Sequence, residues 1–190
     1  MLIPGSVEPG FRSTCRRSEV KEKISRSSKI ALSSLVAIGL SLTLNSALAA
    51  DLIKLKPQID FSESAGGSTN IRNECNLEKK VPGFIGQFSA NVQLVDYDEG
   101  TDGKVLFLEI TGVAGKGGGG WTGKKWLSVK GRLLEKGNEL GSFTARRKSG
   151  GGFMGGYKGT CSILGRCAEA IAKDISNWLK NPTSNAHLGD

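Results

Sequence analysis

A secretory signal peptide decides which part of this 190-residue chain is left to fold. A basic segment formed by Lys21, Lys23, Arg26 and Lys29 precedes residues 30–44, which are uncharged and apolar or small. Ala47-Leu48-Ala49 then supplies the small residues that a signal peptidase accepts. We predict a signal peptide over residues 21–49, cleaved after Ala49 or, as second choice, after Ala50. An exported domain of about 140 residues remains.

Two alternatives concern the same segment. Its uncharged run of about 20 residues is long enough to span a membrane, but the small residues at its end favour cleavage, so we predict no retained span. There is no cysteine at the cleavage site to carry a lipid. Residues 1–20 resemble no part of a signal peptide, and we interpret them as an extension that precedes the true translation start.

Removal of the leader changes the charge. The whole chain carries a net charge of +8, and residues 1–50 contribute +4 of it, from seven basic and three acidic residues. The remaining +4 makes the exported part mildly basic, which favours a polyanionic partner over a cationic one. Hydrophobic residues make up 38% of the chain, and the 27 glycines predict one packed domain with long Gly-rich loops.

The first elements follow from hydrophobic spacing. Apolar residues alternate over residues 53–61, which predicts a half-buried strand, and Pro57 places it at a sheet edge or a bulge. A helical face follows, with Asn73 as its predicted cap. Pro82 is predicted either to kink this helix or to divide it into a short turn and a helix with Pro82 in its first turn. The residues on this face are Leu77, Val81, Phe84, Ile85 and Phe88.

Four more strands and a second helix are predicted. Residues 92–97 and 105–110 flank a turn rich in Asp and Gly, which indicates an antiparallel hairpin. Residues 126–134 and 139–146 form a second hairpin around Lys136-Gly137-Asn138. A helix over residues 162–180 buries Leu164, Ala168, Ile171, Ile175, Trp178 and Leu179, and ends at Asn181-Pro182.

These elements predict an α+β fold in the order β-α-β-β-β-β-α. Two helices pack on one antiparallel or mixed sheet of about five strands. The globular domain covers residues 50–182, and residues 183–190 form a flexible tail.

Two Gly-rich loops, residues 115–126 and 148–159, have similar compositions and are predicted to be neighbours. The first begins like a phosphate-binding loop, with Gly118, Gly123 and Lys124 at matching positions. Lys125 then stands where a Ser or Thr must hold Mg²⁺, and the following residues are strand-like. We therefore predict no nucleotide binding, and no nucleic acid as partner.

Aromatic and basic residues alternate in and around these loops. Such a mixture suits a glycan, an anionic lipid or polymer, or an envelope protein, whereas the plain alternative is that the rings anchor a loop or the core. The predicted binding surface consists of Trp121, Lys124, Lys125, Trp126, Arg146, Arg147, Tyr157 and Lys158.

The exported part has three cysteines: Cys75, Cys161 and Cys167. Export favours a disulfide, and the odd number leaves one thiol over. We favour Cys161–Cys167, which requires Cys161 to lie outside the last helix. The rival pair is Cys75–Cys161, which would close a loop of about 86 residues.

Catalytic chemistry lacks its usual residues. The only histidine, His187, is the fourth residue counted from the end of the sequence, which argues against a Cys–His pair and against zinc sites based on histidine. Asp96, Asp98 and Asp102 fall in a predicted turn and are interpreted as turn formers. We predict no cofactor and no metal.

Four segments carry a resemblance to known proteins: GGGWTGK (118–124), GSFTARRKSGG (141–151), TCSILGRC (160–167) and DISNWLKNP (174–182). They resemble small secreted proteobacterial proteins of unknown function. The order of elements is also similar to the CsgG-like and TolB N-terminal domains of envelope-assembly proteins. Neither resemblance implies a catalytic residue.

Together these features predict a periplasmic or secreted protein that is not an enzyme and that works as a binding or assembly module of the envelope. The alternative is a hydrolase that acts on an envelope polymer through carboxylates. A deep pocket with convergent acids would favour the enzyme, and a shallow basic or aromatic surface the binding module.

Overall fold

The computed structural model describes residues 52–97, 102–115, 119–150, 152 and 154–189. The predicted signal peptide, its cleavage residues Ala49 and Ala50, and the extension over residues 1–20 lie outside the described residues. The described strands are β1 Ile53–Leu55, β2 Asp60–Phe61, β3 Val92–Leu94, β4 Lys104–Ala114, β5 Lys125–Glu135, β6 Asn138–Ser149 and β7 Ala186–Leu188. The helices are α1 Thr69–Cys75, α2 Leu77–Phe88 and α3 Thr160–Trp178.

All seven strands belong to one mixed sheet. Its order is β3-β1-β4-β5-β6-β7, and β2 pairs with β4 beyond the end of β1. The predicted combination of helices with one sheet is confirmed, and the sheet is mixed. The predicted number of about five strands is too low, because the first predicted strand divides into β1 and β2 and because β7 was not expected.

The long antiparallel hairpin of β5 and β6 is confirmed. Lys136 and Gly137 connect the two strands with φ values of 49° and 83°, the left-handed geometry that a two-residue hairpin turn requires. β4 pairs with the other side of β5 from Lys104 to Ala114, with a bulge between Ile110 and Gly112. These three long strands form the centre of the sheet.

The predicted hairpin between residues 92–97 and 105–110 is wrong. β3 and β4 both pair with β1, and both pairings are parallel, so that Leu55 lies opposite Leu94 and Leu106. β1 is therefore an inner strand and not an edge strand. Pro57 lies between β1 and β2, where its missing N–H does not interrupt a ladder.

The first helical segment bends at Asn76 and not at Pro82. Ser68, not the predicted Asn73, caps α1 by accepting the Ile71 amide at 3.4 Å. Asn76 has a φ of 50° and separates α1 from α2. Pro82 lies inside α2, where the Glu78 carbonyl that it cannot bond accepts the Ile59 amide at 3.1 Å. This bond satisfies the carbonyl from outside the helix.

The core lies between the helices and one face of the sheet. α3 packs across β5 and β6, and α2 packs beside α3. The predicted apolar stripe of α3 is buried along its length, from Leu164 to Leu179. The ring of Trp178 lies 4.8 Å from that of Phe143 on β6 and joins the helix to the sheet.

The disulfide joins Cys75 at the end of α1 to Cys161 in the first turn of α3. The favoured Cys161–Cys167 pairing is wrong, because Cys161 is inside the helix and six residues there turn its side chain about 120° away from that of Cys167. Cys167 is buried against the core. The bridge spans 86 residues and ties the two helical segments together.

The predicted flexible tail after residue 182 is also wrong. Residues 186–188 form β7, a parallel partner of β6 in which His187 lies opposite Thr144. The indole N–H of Trp178 donates to the Thr183 carbonyl at 3.2 Å, and the Asn185 amide donates to the Ser142 hydroxyl at 3.1 Å. These bonds hold the returning chain on the sheet.

Loss of the disulfide will destabilise the fold. In the chain-entropy model, a bridge that closes a loop of this length contributes about 4 kcal/mol. We expect Cys75→Ser with Cys161→Ser to lower the free energy of unfolding in urea by about this amount. A Cys167→Ser variant must still yield the linked Cys75–Cys161 peptide on non-reducing digestion, and its absence would contradict the pairing.

A methyl group at Gly131 will also destabilise the fold. A Cβ there would overlap the Phe143 ring and lie 2.7 Å from the Leu108 side chain. We expect Gly131→Ala to cost about 1–3 kcal/mol in urea unfolding, as overpacked cores do. Gly165→Ala is the control, since Gly165 lies within α3 and a Cβ there meets no atom within 4 Å. An unchanged stability of Gly131→Ala would contradict the packing described here.

Candidate functional site

The sheet has two unlike faces. Leu127, Val129 and Leu133 of β5 point into the core, whereas Lys130 and Arg132 between them are exposed on the other face. We call this second surface the open face. The described helices pack on the core side only, which leaves the open face and the strand ends as candidate binding surfaces.

The ends of β4, β5 and β6 that lie near α3 carry an exposed aromatic cluster. Trp121 is 76% exposed and Tyr157 is 80% exposed, and their ring centres lie 6.4 Å apart in an edge-to-face arrangement. Met154 is 58% exposed and Lys124 is also exposed, while Lys158 is half-buried. We call Trp121, Lys124, Met154, Tyr157 and Lys158 the loop end.

Close backbone packing builds the loop end. Gly119–Thr122 and Gly155–Tyr157 form two 3₁₀ turns that contact each other. A Cβ on Gly156 would lie 2.6 Å from the Trp121 indole, so that only glycine lets the ring rest on this turn. The predicted proximity of the two Gly-rich loops is confirmed for their described residues, and it brings the two exposed rings into contact.

Lys125 does not belong to this surface. Its side chain is fully buried, and its ammonium group donates to the Thr122 hydroxyl at 2.7 Å. Burial lowers the pKa of Lys125, because the charged form loses its hydration. Period-2 alternation explains the error, since Lys125 occupies the first core-side position of β5.

The other predicted residues lie elsewhere. Trp126 and Arg146 are neighbours on the open face, where the guanidinium lies 4.5 Å from the centre of the indole. Arg147 points to the core side and forms a two-bond pair with Asp174 of α3, at 2.8 Å for each bond. The predicted eight residues therefore lie in four separate places, and Trp121, Lys124, Tyr157 and Lys158 are the group that shares the loop end.

The open face carries a polar row that the sequence analysis missed. Strand register aligns Asp60, Glu109, Lys130, Thr144 and His187 across β2, β4, β5, β6 and β7. These residues line a concavity of about 710 Å³, together with Phe107, Arg132, Glu139, Ser142 and Asn185. The only sequence signal was the period-2 alternation of charges in β5, because the partners come from distant segments.

Asp60 and Glu109 are the carboxylates that the hydrolase alternative would need, since they lie opposite each other in this concavity. Asp96 is exposed beyond β3, and Asp98 lies outside the described residues. Among the residues that the structure describes, no three His, Cys, Asp or Glu side chains form a group able to hold a metal. Within the same residues, no helix is both long and apolar enough to cross a membrane.

No family model matches the chain, and no curated protein does. Solved structures show weak likenesses. One, described only as an uncharacterized protein, has a TM-score of 0.47 and 13% identity, covering 69% of this chain and 91% of that chain. The PelC dodecamer from Paraburkholderia phytofirmans has a TM-score of 0.42 and 15% identity, covering 66% of this chain and 89% of that chain. A minor lipoprotein from Acinetobacter baumannii has a TM-score of 0.35 and 14% identity, covering 69% of this chain and 91% of that chain. Likenesses of this size transfer no function.

Replacement of Lys125 by Met will remove a pH dependence of stability. The folded pKa of Lys125 lies below its ordinary value of 10.5, so the unfolded chain binds more protons between the two values. The free energy of unfolding of the natural protein must then rise with pH as 10.5 is approached, relative to Lys125→Met.

The comparison uses urea unfolding from pH 7 to about 9.5. This range stops before Tyr97 titrates, whose pKa burial raises to about 12. Lys124→Met is the matched control, because Lys124 is exposed. Parallel pH profiles for the natural protein and Lys125→Met would contradict the burial of the ammonium group.

Proposed function

We propose that this chain is an exported, non-enzymatic binding module of the cell envelope, and that its loop end docks on an anionic phospholipid surface. Export rests on the predicted signal peptide. The observation that carries the docking proposal is the pair of ordered rings, Trp121 and Tyr157, with more than three-quarters of each side chain in solvent. Large apolar side chains exposed together mark interaction sites.

The chemistry of these side chains suits the boundary between lipid and water. Trp and Tyr have an apolar body and one polar group, and they concentrate at the headgroup level of membranes. Met154 adds an exposed apolar side chain beside them. Because the 3₁₀ turns hold both rings already, docking requires little ordering of the protein, which lowers the entropic cost of binding.

The distribution of basic residues supports an anionic membrane as the binding partner of the loop end. Residues 110–134 contain five Lys or Arg and no Asp or Glu. Residues 140–168 also contain five Lys or Arg and no Asp or Glu. The two segments supply most of β5 and β6 and both 3₁₀ turns, and the acidic residues of these strands, Glu135 and Glu139, lie at the hairpin end away from the loop end. Each basic residue near an anionic membrane surface contributes about 1 kcal/mol.

A glycan is a weaker fit to the loop end. Small-molecule sites are concave and bring several polar groups together. Trp121 and Tyr157 line neither the concavity on the open face nor the smaller one bounded by Ile53, Asn91 and Leu179. The rings also meet at 80°, so that together they offer no flat platform for a sugar.

Vesicle binding tests the proposal. We expect the purified protein to sediment with vesicles of phosphatidylglycerol and phosphatidylethanolamine but not with vesicles of phosphatidylcholine. Trp121→Ala with Tyr157→Ala must abolish sedimentation and the blue shift of tryptophan fluorescence. Lys124→Glu must weaken partitioning roughly 30-fold, since a charge reversal changes the electrostatic contribution by about 2 kcal/mol.

Matched controls come from the helical side. Phe88 is an exposed aromatic residue on α2 and Lys79 is an exposed cation on the same helix, so Phe88→Ala and Lys79→Glu must bind vesicles like the natural protein. The proposal fails if all variants bind equally, or if the helical variants lose binding and the loop-end variants keep it.

A further inference from the structure

A second surface, the polar row of the open face, has no part in the docking proposed above. It lies in the middle of the sheet, and Lys130 is five residues along β5 from Lys125 at the strand end, or about 17 Å. We propose that the concavity around this row binds a small zwitterionic ligand, with its ammonium group on Asp60 and Glu109 and its anionic group on Lys130 and Arg132.

Four of the charged residues that line the concavity form two pairs of like sign, and Glu139 also lines it. Asp60 and Glu109 lie opposite each other on β2 and β4. Lys130 and Arg132 lie two residues apart on β5, on the same face. Like charges directly opposite each other, as Asp60 and Glu109 are, destabilise a sheet, and a ligand cation between them would remove this repulsion.

These charged side chains form no ion pair with each other within the protein. Glu109 lies opposite Lys130 in the ladder, yet no ion pair joins them. Across residues 52–97, 102–115, 119–150 and 154–189, the side chains of Asp60, Glu109, Lys130 and Arg132 make no hydrogen bond or ion pair with another described residue. Charged groups of both signs are thus presented to solvent in one concavity.

The concavity has the size and the walls of a ligand site. About 710 Å³ lies within the range of 300–1,000 Å³ typical of small-molecule sites. Phe107 gives it an apolar wall and is held edge to face by Tyr97, with ring centres 5.5 Å apart. On the far side, Ser142 accepts the Asn185 amide and so fixes β7, which brings His187 to the rim.

The floor of the concavity is closely packed from below. Gly131 lies between the two basic residues, and the Phe143 ring fills the space below it on the core side. Neighbouring strands lie about 4.8 Å apart, so the acidic and basic pairs are separated by about 5–10 Å. A ligand whose two charges are separated by this distance spans both pairs, which favours a short chain with an amino and a carboxyl end.

The test uses triglycine, which spans about 10 Å when extended, and three relatives that lack one or both charges. N-acetyl-triglycine keeps the anion, triglycine amide keeps the cation, and N-acetyl-triglycine amide keeps neither. Binding is followed by amide chemical shifts of the purified ¹⁵N-labelled protein. We expect triglycine to bind with a dissociation constant on the order of 1 mM and to shift signals of β2, β4 and β5.

Loss of either charge must weaken binding at least about 10-fold, because a hydrogen bond to a charged group is lost. Asp60→Asn with Glu109→Gln must remove the advantage of triglycine over N-acetyl-triglycine. Lys130→Met with Arg132→Met must remove its advantage over triglycine amide. Glu74→Gln with Lys79→Met, both exposed on the helical side, must change nothing.

Three results would overturn the proposal: no shifts with triglycine, equal binding of all four compounds, or concentration-dependent shifts on the open face that report a second copy of the chain there. Trp121→Ala with Tyr157→Ala must leave triglycine binding unchanged. The proposals of a ligand site and of a membrane-binding surface are therefore tested independently of each other.

Discussion

Two aromatic rings that fit against two glycines hold this fold together. Phe143 of β6 fills the space that Gly131 leaves on β5, and Trp178 of α3 packs on Phe143 and against Gly141, where a Cβ would come within 2.9 Å of the indole. The same indole donates to Thr183 and directs the chain back to form β7. One cluster thus fixes α3 on the sheet, adds the last strand and supports the floor of the open face.

The sequence predicted the elements whose signals are local. The turn at Lys136 and Gly137 specified the β5–β6 hairpin, and the apolar stripe of α3 specified its buried face. Strand pairings between segments that are distant in the sequence were not predicted. The parallel pairing of β1 with β4 has no local signal, whereas the Asp- and Gly-rich segment before β4 wrongly favoured a hairpin. β7 is a three-residue strand in a polar segment. Pro82 led to a wrong prediction because the Glu78 carbonyl that it leaves without a helical partner accepts the amide of Ile59, which is 23 residues away from Pro82.

The candidate sites divide in the same way. Composition identified Trp121 and Tyr157, since exposed rings in Gly-rich loops need no partner strand to be noticed. Composition could not separate Lys124, which is exposed, from its neighbour Lys125, which is buried and bonded to Thr122. The polar row joins residues 60, 109, 130, 144 and 187, and only the sheet register places them together.

A preformed cationic and aromatic surface at the loop end is the central claim, and hydrogen–deuterium exchange with anionic vesicles tests it most directly. Docking through this surface predicts slower exchange in residues 119–126 and 154–160, with α2 and the middle of β5 unchanged. Protection over α2 and α3, or no protection at vesicle concentrations that sediment the protein, would contradict it.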